Sequence, residues 1–100
     1  MIENKLKSIN PKNNIILSSW DVLSLSEIDI MIRKTAHAQM DWSKIDLISR
    51  LNYVKNLSHI LNERASELST LIADEIGKPK KQGKGEIKKC EWLCDYYYKN

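Results

Sequence analysis

From Ser24 to the end of the chain, apolar residues recur three and four positions apart, the period of helices with one dry face. Upstream of Ser24 that rhythm is absent. Residues 1–7 are polar and are expected to fray. Residues 7–10 and 15–21 read as short extended stretches, separated by Pro11, Lys12, Asn13 and Asn14. Proline presets φ for a turn and asparagine tolerates the left-handed region, so 8–21 is predicted to be a β-hairpin. Two strands alone are marginal in water, so this hairpin has to lean on another element.

Ser24 and Ser26 are both candidate N-caps for the first helix; Ser24 with Glu27 and Ser26 with Asp29 each have the spacing of a reciprocal cap, and the glutamate fits it better. Ile28, Met31, Ile32, Thr35, Ala36 and Gln39 predict a helix over 26–41, with Trp42 in the connection. Asp46 caps a second helix over 46–62, striped by Leu47, Leu51, Val54, Leu57 or Ser58, and Leu61. A break at Asn62-Glu63-Arg64 precedes a third helix over 64–76, carrying Ala65, Leu68, Leu71, Ile72 and Ile76. Gly77, with Pro79 close behind, is a strong stop signal. Lys78 to Gly85 reads as a loop or as the weak first turn of a fourth helix over 80–98. On that helix Ile87, Cys90, Cys94 and Tyr97 share a face, with Leu93 and Tyr98 beside it. The pattern reaches Asn100 without a cap, so residues 1–100 are expected to form one incomplete domain.

Composition narrows the class. At 42% apolar and 29% charged, the 100 residues resemble a soluble folded protein and not a disordered one. No run approaches the roughly 18 apolar residues of a membrane span. Met1-Ile2-Glu3-Asn4-Lys5 leads into no apolar segment, so no targeting signal is expected. Cys90 and Cys94 do not make a secreted disulfide framework, and the cytoplasm is the expected compartment. A formal charge of +3 says little by itself about partners.

Several constellations invite chemistry and fall short of it. Gly77, Gly83 and Lys84 come near a phosphate loop, but five residues separate the glycines where four are needed. Gly85 then stands where Ser or Thr would hold magnesium, and no strand leads in. Cys90 and Cys94 stand four apart on one helix, which can bring two thiols to one metal, but a stable zinc site needs four ligands. His37 and His59 lie on other helices without Cys or His neighbours, so no metal is expected. Both cysteines are expected to be small, core-facing residues. Trp20, Trp42 and Trp92 are spread as packing anchors, and Tyr96, Tyr97 and Tyr98 form an aromatic wedge. Lys78, Lys80, Lys81, Lys84, Lys88 and Lys89 make a basic cluster that contains no Arg and is interrupted by Glu86. A solvated surface accounts for such a run, and nucleic acid is not expected as a partner.

Taken in order, the landmarks resemble one family. Asn10-Pro11 opens the hairpin, a Ser-capped helix ends near Trp42, and Arg50 starts a Leu-rich helix. Leu61-Asn62-Glu63-Arg64-Ala65-Ser66-Glu67-Leu68 follows, then Glu75-Ile76-Gly77-Lys78-Pro79, Gln82, Glu86-Ile87 and the aromatic close at Tyr96-Tyr97. Residues 9–100 are similar to the amino-terminal region of aldehyde dehydrogenases. Glu75-Ile76-Gly77-Lys78-Pro79 followed by residues 86–97 looks most like the succinate-semialdehyde dehydrogenase branch. The sequence departs at Asn13-Asn14-Ile15, where the family's hairpin usually has Thr-Gly-Glu. It departs again at Lys80, Lys81, Gly83, Lys84 and Gly85, which replace residues that favour helix.

The resemblance implies a mainly α piece with a short N-terminal hairpin, belonging to the α/β NAD(P)-binding domain of a usually homo-oligomeric enzyme. Such an enzyme oxidises an aldehyde to a carboxylic acid with NAD or NADP. A cysteine attacks the carbonyl, hydride passes to the nicotinamide, and a glutamate activates the water that releases the acid. The residues that do this in the family, and its cofactor glycine motif, correspond to none of the hundred positions here, so the chain alone is expected to bind no cofactor and to be inactive. Cys90 and Cys94 match non-catalytic positions. The fourth helix borders the family's substrate entrance, which makes Lys89 and Trp92 the candidate residues facing an acidic substrate. A small helical protein-interaction module is the alternative reading.

Overall fold

A computed structural model describes residues 5–100 as a two-stranded hairpin followed by four helices. Strands β1 (Lys5–Ile9) and β2 (Ile16–Asp21) pair antiparallel, Lys5 opposite Asp21 and Leu6 opposite Trp20, with a register shift between Ser8 and Ile9. Helices α1 (Leu25–Ser43), α2 (Leu47–Glu63), α3 (Ala65–Ile76) and α4 (Lys80–Lys99) follow. β1 therefore starts inside the polar stretch expected to fray; residues 1–4 of that stretch lie outside the described residues. The exposed Lys5 joins the ladder because its ammonium stands 3.7 Å from Asp21 across the strands.

The hairpin turn is built by asparagine side chains. Asn10 Oδ1 accepts from the Lys12 N–H and Asn13 Oδ1 from the Ile15 N–H, at 2.9 and 3.0 Å. Asn14 takes the left-handed conformation, φ 60°, that its residue type tolerates. The hairpin leans on α3: Ser8 Oγ donates to Glu75 at 2.9 Å, and Pro11 lies beside Gly77.

Capping explains the helix starts. Ser24 Oγ accepts from the Glu27 N–H, which selects it over Ser26 as the N-cap of α1. α1 then runs through Trp42, whose ring meets Tyr53 of α2 at 5.3 Å, so Trp42 is a helical residue and not part of the connection. Gly77, at φ 71°, closes α3 with its N–H on the Ala73 carbonyl. α4 begins at Lys80, so most of the Lys- and Gly-rich segment is helical.

Asp46 caps α2 by accepting from the Ser49 N–H at 3.0 Å and the Ser49 hydroxyl at 2.8 Å. Those two donors hold its carboxyl below the usual range. The folded value thus lies under the unfolded one, so the stabilisation is present above the unfolded carboxyl pKa and is lost as pH falls through the folded value. Asp46→Asn keeps a cap acceptor. It is expected to preserve α2 at neutral pH and to flatten the acid limb of a circular-dichroism titration. An acid limb identical to that of the native chain would refute the linkage.

The packing centres on α4. Ser58 of α2 donates to Asp95 at 2.7 Å, and Ser69 of α3 lies against Gly83. Lys55 and Ser58 meet Tyr98 and Asp95 in reverse order, so α4 lies antiparallel to α2. The buried residues are Ser58, Ser69, Gly83 and Ile87, the last being the one buried apolar side chain among the described residues. On α2 the innermost residue is Ser58, flanked by half-buried Leu51, Val54 and Leu61, whereas Leu57 is exposed. On α4 the inward line is Gly83, Ile87, Glu91, Cys94 and Tyr98; Cys90 and Tyr97, expected on that face, point outward.

Among the described residues no other element packs extensively along α1, and α1 has no buried residue. The molecule is a slab of 49 × 41 × 16 Å with a radius of gyration of 17.9 Å. A compact chain of this length would have about 13 Å.

Candidate functional site

The chemistry-bearing side chains gather on α4, and its two sides differ. The inner side is tied to α2: Asp95 accepts from Ser58, and the Lys55 ammonium sits 5.1 Å from the Tyr98 ring centroid. The outer side carries Lys89 and Trp92, three residues apart and both exposed. Helical spacing puts them on neighbouring positions of one face. Tyr96 and Tyr97, also exposed, meet edge to face at 5.5 Å.

The two cysteines are unlike each other. Cys90 is exposed, which corrects the expectation that both face the core, because α4 is rotated so that Glu91 and not Cys90 turns toward α2. Cys94 is half-buried, and burial first, then Asp95 and Cys90, push its thiol above the usual range. A raised thiol pKa is the reverse of what an activated nucleophile needs. No group of three or more His, Cys, Asp and Glu able to hold a metal exists among the described residues.

The glycine and lysine segment is no phosphate cradle. Gly77 closes α3, and Gly83 turns inward, where an added Cβ would stand 3.5 Å from Ser69. Lys78 pairs with Glu86, and Lys88 stands 3.4 Å from Glu91, so the basic run is partly neutralised. His37 and His59 are both exposed, on α1 and α2, and share no site.

One feature was not legible as a site from spacing. Leu23, Ile28, Met31, Ile32, Thr35 and Ala36 line an open apolar trough of about 470 Å³ along α1. The stripe itself is visible in the sequence, but its lack of a cover appears only in three dimensions. No helix among the described residues is long and apolar enough to cross a membrane.

Comparison with known proteins covers nearly the whole chain. A model of the Aldehyde dehydrogenase family matches residues 2–100. The chain is 29% identical over 90 residues to the succinate semialdehyde dehydrogenase (NAD(P)+) of Escherichia coli, covering 90% of this chain and 20% of that protein. It is 25% identical over 95 residues to the succinate-semialdehyde dehydrogenase (NADP(+)) of Deinococcus radiodurans, covering 95% and 20%. It is 27% identical over 89 residues to aldehyde dehydrogenase family 7 member A1 of Pisum sativum, covering 89% and 18%. The chain thus spans about a fifth of the length of these curated relatives.

Proposed function

The chain belongs to the aldehyde dehydrogenase family, and from that premise we propose that it is the amino-terminal part of an NAD(P)-dependent enzyme's cofactor-binding domain, incomplete and inactive by itself. The observation that carries this reading is the flat, open packing: one buried apolar side chain among the described residues and an α1 with nothing along its apolar face. A finished domain of this size buries a core. The substrate favoured for the whole enzyme is succinate semialdehyde, on the strength of the two semialdehyde dehydrogenases it is similar to. The compartment favoured is the cytoplasm.

Aldehyde oxidation in this family passes hydride to NAD or NADP. A dinucleotide's pyrophosphate is held where a strand turns through glycines into a helix. The described residues do not fit that role. The left-handed glycine, Gly77, joins two helices, and Gly83 is occupied by Ser69. No step through the cofactor is therefore assigned to this chain. Lys89 and Trp92, adjacent on the open side of α4, are the residues proposed to border the substrate entrance of the whole enzyme.

The test is turnover. Purified chain, given succinate semialdehyde with NAD or NADP, is expected to produce no reduced nicotinamide above a protein-free blank. Sustained, enzyme-proportional reduction would overturn the reading. The α1 trough also favours a second reading, a helical interaction module, and a stoichiometric complex that Ile32→Asp abolishes would support it.

A further inference from the structure

We propose that Cys90 and Cys94 form a two-thiol clamp for a trivalent organoarsenical, a site separate from the aldehyde chemistry and independent of the reading above. Both residues lie in the unbroken helix α4, four apart. That spacing sets their Cβ atoms about 5–6 Å apart on neighbouring turns. The Cys94 side chain leans back over the turn that carries Cys90, because helical side chains tilt toward the N-terminus. Cys90 is exposed and gives access, while Cys94 is half-buried behind it.

The geometry selects the ligand. A disulfide needs Cβ atoms about 3.5–4.5 Å apart, so a direct bond would have to contract the helical turn. A single atom bridging the two sulfurs removes that demand. Zinc requires a closed set of four ligands. No third ligating group assembles with the pair among the described residues. Soft thiolates select soft partners. An arsenic(III) centre with one carbon substituent needs two sulfurs and no more. Tyr97, exposed on the same outward side of α4, offers an aromatic ledge for an aryl substituent.

The reaction balances without a co-reactant. With an arsine oxide, R–As=O, two As–S bonds form while the As=O bond and both S–H bonds break. The oxygen leaves as water with the two thiol protons. Arsenic stays trivalent, and nothing is oxidised or reduced. Both thiol protons depart with the oxygen, so the net reaction starts from two thiols and ends with one water.

The reduced 100-residue chain is titrated with phenylarsine oxide and followed by intact mass and free-thiol count. One arsenical per chain is expected, with both thiols consumed. The adduct should withstand excess glutathione and be released by ethanedithiol. Cys90→Ser and Cys94→Ser are each expected to weaken binding about 100-fold, because the second bond of a chelate forms at high effective concentration. Two arsenicals per chain, one arsenical bridging two chains, loss to glutathione, or native-like binding by either variant would each overturn the proposal. The stoichiometry and glutathione challenge use the native chain, so they decide the matter even if a variant misfolds.

Discussion

Ile87→Ala is expected to destabilise the helical pair by about 2–3 kcal/mol, the lower part of the range for truncating a buried isoleucine. Ile87 is 8% exposed and is the one buried apolar side chain among the described residues. It lies on α4 between Gly83, which meets Ser69 of α3, and Glu91 and Asp95, which meet Ser58 of α2. It therefore sits where α2 gives way to α3, and its loss loosens both contacts together. A domain normally has about 5–15 kcal/mol of total stability, and a slab with so little core belongs at or below the bottom of that range. The measurement is urea denaturation followed by helical circular dichroism. Ile48→Ala is the control, because Ile48 is 73% exposed and should change stability by no more than about 0.5 kcal/mol. Equal effects at the two positions would mean that Ile87 does not organise the packing.

The elements of this fold were legible where local chemistry decides them. Asparagines at the turn, Ser24 and Asp46 at helix starts, and Gly77 before Pro79 each act on their own neighbours, so a one-dimensional reading finds them. The errors fall where a distant partner decides. β1 extends back to Lys5 because Asp21 lies across from it, and α1 continues to Ser43 because Trp42 has Tyr53 to pack on. The phase of α4 could not be read from hydrophobicity, because its contacts use small and polar residues: Gly83 against Ser69, Asp95 with Ser58. A search for apolar stripes finds Ile87 and Cys94 but adds Cys90 and Tyr97 in place of Glu91 and Tyr98, and it leaves Leu57 and Ser58 as alternatives where Ser58 is the residue that turns inward.

The candidate site was legible in a different way. Nothing in the spacing of Lys89 and Trp92 marks them, and only family resemblance brought them forward. The structure adds that both are exposed on one open side of α4, away from the α2 contact. The physical reason for this limit is the missing depth. A site needs side chains converging from several elements, and among the described residues the outer face of α4 faces no other element.

Substitutions at the two helical glycines should separate backbone propensity from close packing. At Gly85 an added Cβ meets nothing within 4 Å, so Gly85→Ala gains helix propensity alone, about 1 kcal/mol. At Gly83 an added Cβ would stand 3.5 Å from the Ser69 Cα, Cβ and carbonyl oxygen, an ordinary contact distance. Gly83→Ala is therefore expected to stabilise by a similar amount. Gly83→Leu keeps the propensity gain but has no room, since Ser69 is fully buried at 0% exposure and its backbone forms the wall. Overpacking of that kind costs about 1–3 kcal/mol and pushes α3 from α4. Thermal and urea melts of the three variants should thus rank Gly85→Ala and Gly83→Ala above the native chain and Gly83→Leu below it. A Gly83→Leu chain as stable as Gly83→Ala would show that α3 and α4 are not held together at Ser69. The close approach would then be incidental, and the glycines of α4 would be nothing more than weak points in a helix.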